Sequence, residues 1–289
     1  PSTAIAQRFR PAQYPEAFCD IYADLKVQRK SHAKGTSENA TLKLGLNGVF
    51  GDSNNKFSVF YDPLVTMKIT LNGQLLMCLL VENLIKIPGL QLVQANTDGV
   101  TVHLPPEHRR LMQKTIEWWE GITNLKMESN DYSRMIIRDV NSYIAIYTNG
   151  KVKRKGAYEY DLDWHQNHSA LVVPKVAEMA LVHGSPIRET IMNWPDKMDF
   201  MLRIKVPRSS YLKWGGSVVQ NTTRYYVSTG GAELIKVMPP LAKKPGVWRE
   251  FAVEKGWTVQ VCNDIKDAFE PINFDYYVQE VEKLVLGMK

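Results

Sequence analysis

Apolar residues recur along this chain with two different periods, and each period predicts a different element. Over residues 15–34 the spacing is helical, and the C-terminal half of the segment is basic. Gly35 and its polar neighbours read as a turn, and a second helix is predicted over about 37–49. Two helices joined by so short a basic turn form an antiparallel hairpin. Residues 51–55 read as a loop. Asp62-Pro63 then has the form of an N-cap followed by proline at the first helical position. Over residues 64–85 the chain is apolar on most sides, which predicts a buried helix ended by Pro88-Gly89.

The period then changes to two. Residues 90–93 and 100–104 alternate as the arms of a β-hairpin, with Asn96-Thr97-Asp98-Gly99 as the turn. Pro105-Pro106-Glu107 opens an amphipathic helix carrying Leu111, Ile116, Trp118 and Trp119. A three-strand meander is predicted near 125–128, 133–139 and 142–147, followed by a turn at Asn149-Gly150 and a basic strand over 151–158. From about Asp161 the texture changes. Helices are predicted over 172–183 and 186–194, then short segments punctuated by glycine, proline and aromatic residues, among them Pro245-Gly246. A domain boundary is placed near 161–166.

Composition narrows the class. The chain has 289 residues, 44% of them hydrophobic and 23% charged, which excludes a disordered or fibrous protein and allows about two domains. The longest apolar run, residues 75–81, ends at Glu82 and is far shorter than the ~20 residues of a membrane span. No N-terminal segment has the pattern of a secretory signal. Three cysteines, Cys19, Cys78 and Cys262, without a CxxC spacing argue against a disulfide framework or thiolate zinc site and for a reducing, cytoplasmic setting. His165 and His168, with no third ligand near, read as polar surface. Lysine and arginine number 36 against 30 acids, a net +6 that hints at a polyanionic partner.

Three places could carry chemistry. Lys43, Asn47 and Phe50 share one face of the second helix beside Gly48 and Gly51, where missing side chains admit another molecule. A lysine and an amide there suit a triphosphate and a sugar or base. The ordinary alternative is a solvated lysine near a helix end. Asp98 sits at the hairpin tip, where its carboxylate suits Mg²⁺, although aspartate is also a common turn residue. Lys151, Lys153, Arg154 and Lys155 place four cations in five residues. The three lysines alternate and so face one side of a strand, matching a nucleic-acid backbone or else protecting a solvated edge.

Taken in order, these segments resemble the C-terminal part of a family B DNA polymerase of bacteriophage type. The fingers helix of that family carries Lys-x-x-x-Asn-Ser-x-Tyr-Gly, and here Lys43-Leu44-Gly45-Leu46-Asn47-Gly48-Val49-Phe50-Gly51 stands in its place. Its Asp-Thr-Asp-Ser hairpin is matched by Asn96-Thr97-Asp98-Gly99, and its primer-gripping segment by Lys153-Arg154-Lys155-Gly156. Gln28-Arg29-Lys30 and Lys34 match the basic triphosphate-binding stretch, and residues 220–226 resemble phage thumb segments. Asn96 replaces the first motif aspartate, Phe50 a tyrosine, and Gly99 a serine.

The resemblance implies an α+β right-hand fold: fingers helices over 1–48, the C-terminal part of an antiparallel-sheet palm over 49–160, and a mixed thumb over 161–289. It implies a DNA-dependent DNA polymerase using two Mg²⁺ ions, with Mn²⁺ able to substitute, primer-template DNA and a dNTP. Asp98 would be the metal-binding catalytic acid. Arg29, Lys30, Lys34, Lys43, Asn47 and Phe50 would serve the nucleotide. Lys153, Arg154, Lys155, Arg224, Tyr225 and Tyr226 would serve the DNA. Nothing before Lys26 resembles the family's other acidic segment, of the form Asp-x-x-x-Leu-Tyr-Pro, or its exonuclease. The expectation is therefore a split enzyme, inactive alone, in which a second polypeptide supplies both. If phage-encoded, it would work in the bacterial cytoplasm. The rivals are a non-catalytic DNA-binding remnant and a reverse transcriptase or RNA polymerase on a similar palm, against which the fingers motif speaks.

Overall fold

A computed structural model describes residues 1–163, 166–241, 246–264 and 271–286. His165 and Pro245 lie outside the described residues. The fold is mixed α+β, with eight α-helices among the described residues and strands that pair antiparallel throughout. The chain divides into two compact units, residues 1–129 and 130–289. That division falls about thirty residues before the change in texture near 161–166.

In the first unit a short helix, α1 (Ser2–Ala6), precedes the helical hairpin of α2 (Ala17–Ser31) and α3 (Ser37–Asp52). The turn between them is held by Asn39, which is buried. Its amide donates to the carbonyls of Arg29 (3.1 Å) and His32 (2.9 Å), closing the C-terminal end of α2. The Thr36 hydroxyl caps α3 by accepting from the Asn39 N–H. Lower in the hairpin, the buried Tyr22 hydroxyl donates to Leu46 O at 2.6 Å, and burial pushes its pKa up to about 12.

Helix α4 (Pro63–Leu84) starts as its sequence predicts, with Asp62 Oδ1 accepting from the N–H groups of Leu64 and Val65 and proline at the first position. Its burial is different. Ile69 packs into the cluster of the helical hairpin. Met77, Leu80 and Leu84 pack with Trp119 of α5 (Arg109–Thr123). Leu64, Met67, Leu71 and Leu75, on the other side, are each more than half exposed. The helix is apolar on most sides, yet the elements packed on it, α1 and α5 among them, take one stripe. By length and composition it is long and apolar enough to cross a membrane, since Lys68 and Glu82 are the two charged residues among its 22.

Strands β1 (Gln91–Ala95) and β2 (Val100–His103) form the expected hairpin, with a register shift between Leu92 and Gln94. Leu90, Val100, Val102 and Leu104 pack toward Trp119. The strand expected over 125–128 does not form. Leu125 and Met127 do point inward to the Trp119 cluster, so the alternation is real. Their N–H groups, however, are taken by side chains: Leu125 by Thr123 Oγ1 and Met127 by Glu120 Oε1 at 2.6 Å.

The second unit opens with the sheet β3 (Tyr132–Ile137), β4 (Tyr143–Tyr147) and β5 (Val152–Lys155). Helices α6 (Val172–His183) and α7 (Ile187–Met192) come next. Then come β6 (Leu202–Lys205), β7 (Tyr211–Trp214), β8 (Ser217–Val219), β9 (Thr222–Ala232), β10 (Leu234–Met238), β11 (Arg249–Ala252), β12 (Val259–Val261) and helix α8 (Phe274–Val285). These strands make two sheets, ordered β12-β9-β6 and β11-β10-β7-β8. Ile136, Ile144 and Tyr158 share one core with α6, α8 and the later strands. The Tyr158 hydroxyl donates to Leu284 O at 2.9 Å. The β3–β4–β5 meander therefore shares its core with α6, α8 and the later strands, which is why the chain divides at 129/130.

Asp62 holds both the start of α4 and, through Oδ2, the N–H of Ala12 at 2.9 Å. Asp62→Ala is expected to cost about 1–2 kcal/mol of stability in urea denaturation. A loss below about 0.3 kcal/mol would contradict this role.

Candidate functional site

The helical hairpin gathers cations at the end that carries its turn. Lys30 and Lys34 are exposed, and Arg29 is half-buried, its Nε donating to Asn39 Oδ1 at 3.4 Å. Burial lowers the pKa of Lys26, and the charges of Lys30 and Arg29 lower it further, a sign of how crowded this positive field is. On α3, Lys43 lies one turn beyond Asn39, and Asn47 a turn further, about 6 Å along the axis. Both are exposed, and Phe50 is half-buried. The Tyr22 bond to Leu46 O and the Asn39 bond to Arg29 O fix the helix against α2. An added Cβ at Gly45, Gly48 or Gly51 would meet nothing within 4 Å. Packing does not require these glycines, although each weakens a helix by roughly 1 kcal/mol relative to alanine.

Asp98 is exposed at the hairpin tip. The turn is shaped by Asn96, whose side-chain oxygen accepts from the Asp98 N–H (3.3 Å) while its own N–H donates to Gly99 O (3.0 Å). Asn96 thus closes the turn through its backbone N–H and its side-chain oxygen. A carboxylate on a braced turn is a suitable hard ligand for Mg²⁺. It fits only part of a metal site, since no three His, Cys, Asp or Glu side chains converge among the described residues. His168, exposed, bonds the Asp163 carbonyl through Nε2 at 3.0 Å.

In β5 the cations separate by strand alternation. Arg154 turns inward. Both carboxylate oxygens of the buried Glu178 accept from its guanidinium, through Nε and through Nη2 (2.8 Å), and Asp161 accepts from Nη1 at 3.2 Å. Tyr160 stacks beneath the guanidinium at 4.4 Å and donates to Glu178. Burial first, and then the Glu178 charge, push its phenol up to about 12. Arg154 was expected to face DNA, but its donors are engaged inside the unit. Lys153 faces the other way and donates to Tyr132 Oη at 3.3 Å. Burial works to lower its pKa, but the bond to Tyr132 and the nearby Tyr143 and Tyr147 outweigh it, and the net shift is upward. Lys155 pairs with Glu159 at 3.1 Å, and Lys151 is exposed. Gly156 is required here, since at φ +61° an added Cβ would lie 2.4 Å from Asn141 O.

Burial withdraws two further expected DNA contacts. Tyr225 is 3% exposed and Tyr226 0%. β9 is the central strand of its sheet, and its middle is covered on both faces. The Tyr225 hydroxyl donates to Glu254 at 2.7 Å, and its pKa is raised, by burial first and then by that carboxylate. Arg224, between the buried Thr223 and Tyr225 on the same strand, remains exposed. Two features had no signal strong enough to find them in the sequence. One is the pairing of Glu178 with Arg154 across 24 positions. The other is the convergence of Tyr132, Tyr143 and Tyr147 around Lys153, although their placement on alternating strand positions hints at it.

No protein-family model matches this chain, and no curated protein matches its sequence.

Gly48→Ala should raise stability by about 0.5–1 kcal/mol in urea denaturation, since helix propensity improves and no neighbour is displaced. If the open face serves a nucleotide, the same change lowers nucleotide affinity in a binding titration. Lower stability would show a packing role for the glycine.

Proposed function

We propose that this chain is a subunit of a DNA-dependent DNA polymerase of family B type, built on a right-hand fold and working in the cytoplasm of a bacterial host. Residues 1–48 serve as fingers, 49–160 as part of the palm and 161–289 as thumb. The observation that carries the reading is the outward carboxylate of Asp98 on its braced turn, following in the same unit the exposed Lys43–Asn47 face of a capped helical hairpin.

The reaction is attack of a primer 3′-oxygen on the α-phosphorus of a deoxynucleoside triphosphate, with pyrophosphate leaving. Bound Mg²⁺ would supply Lewis-acid stabilisation of the oxygens that gain charge. Asp98 would hold it together with a carboxylate from polypeptide outside these 289 residues, which we take to be a second chain that also carries the exonuclease. Lys43, Lys30 and Lys34 neutralise the triphosphate, with Arg29 adding charge behind them. Asn47 orients the nucleotide, and the half-buried Phe50 offers a ring near the nascent pair. Lys153 and Lys155 contact the primer backbone, and Arg224 the duplex phosphates. The exposed stripe Leu64, Met67, Leu71 and Leu75 is apolar surface that a second chain can cover.

Asp98→Asn in the assembled enzyme is expected to lower primer extension by at least about 10²–10³-fold while DNA affinity stays within about twofold. Normal extension by the variant would remove Asp98 from the chemistry and leave the non-catalytic DNA-binding remnant as the better account. Lys153→Ala should weaken primer binding and make its salt dependence shallower by about one unit in the logarithmic slope. An unchanged slope would mean that Lys153 does not meet phosphate.

A further inference from the structure

The outer face of the β3–β4–β5 sheet carries more than charge. Cross-strand partners share a face, so Tyr132 with Tyr147, Ala145 with Lys153, and Tyr143 with Lys155 lie on one side. Ile144 and Arg154, also partners, lie on the other, which is buried. The Tyr132 and Tyr147 rings sit 4.9 Å apart at 50°. The Lys153 ammonium lies 5.8 Å from the Tyr132 ring and 5.9 Å from the Tyr143 ring. All three rings are half-buried, each keeping part of its surface open. Lys151, Lys153 and Lys155 are two residues apart and so step along the strand by about 6.6 Å each. Lys155 pairs with Glu159, one acid against three lysines, so the row keeps positive charge beyond that pair.

We infer that this face is a platform for single-stranded DNA, taking phosphates on the lysine row and unpaired bases on Tyr132, Tyr143 and Tyr147. Lysines alone would serve any phosphate backbone. The partly open rings among them add a surface that only an unpaired base can use, because a duplex hides its base faces within the stack. Lys153 joins the two sets, since its ammonium is held by the rings it stands beside. The inference rests on the reading of Lys153 and Lys155 as phosphate contacts of the primer strand and adds that they also hold that strand when its end is unpaired from the template.

The test is fluorescence anisotropy on the full chain with an oligothymidylate of about 12 nucleotides, the same strand bearing abasic sites, and a blunt duplex. Tyr147→Leu should weaken binding of the intact strand by about 5–100-fold without changing its salt slope or duplex affinity, and Tyr147→Phe should restore it. On the unaltered protein, the abasic strand should bind more weakly by a comparable factor, a result that needs no variant to fold. Lys151→Gln should make the salt slope shallower by about 0.7. An abasic strand bound as tightly as the intact one, or a Tyr147→Leu loss shared equally by the duplex, overturns the platform. If Lys151→Gln still flattens the slope, the phosphate reading survives that failure. If the slope stays unchanged as well, both fall together.

Discussion

Both elements of the proposed chemistry in residues 1–129 hang from one helix. At Ile69, α4 packs into the core of the α2–α3 hairpin, and at Met77, Leu80 and Leu84 it packs with Trp119 and the β1–β2 hairpin. Ile69 and Leu80 are about 16 Å apart along the axis. The Trp119 indole N–H donates to Leu76 O at 2.7 Å, which pins α5 to this rod while burying the largest side chain of the unit. Neither the Lys43–Asn47 face nor the Asp98 turn is supported by a large sheet. Their placement depends on a single buried stripe, and the Asp62 cap at the start of α4 matters for the same reason.

Residues 130–289 solve a related problem with charge. A row of cations on β5 would repel itself, and the fold removes one member by alternation. Arg154 turns inward to Glu178, and the bidentate bond leaves no buried charge uncompensated. A second buried carboxylate nearby, Asp199, accepts from Lys175 through both oxygens and from the Trp194 indole N–H. With Arg154 fixed, strand geometry sends Lys153 and Lys155 to the opposite face. The inward ion pair therefore sets the direction of the lysines proposed to meet DNA.

Much of this was legible in the sequence where the cause is local. Helix α6 has the predicted bounds, α4 begins at the predicted cap, and the α2–α3 and β1–β2 hairpins stand where turn residues placed them. Long-range effects were not legible. The apolar pattern of α4 is that of a buried helix, yet how much of it is covered depends on which elements dock there. Leu125 and Met127 alternate like a strand, but Thr123 and Glu120 take their N–H groups before a neighbouring strand can. Tyr225 and Tyr226 beside Arg224 look like surface contacts until β9 is known to be central in its sheet. Of the candidate site, the exposure of Lys43, Asn47 and Asp98 agrees with their proposed work, whereas Arg154 serves a structural one.

Asp98 is proposed as one of two acids, the companion arriving on other polypeptide. Mg²⁺-dependent primer extension by the 289-residue chain, alone and after mixing with a polypeptide carrying an Asp-x-x-x-Leu-Tyr-Pro-like segment, tests it most directly. The expected result is no deoxynucleotide incorporation by either component alone and template-directed incorporation by the two together. Extension by the isolated chain, or inactivity of a stable complex of the two, would contradict it.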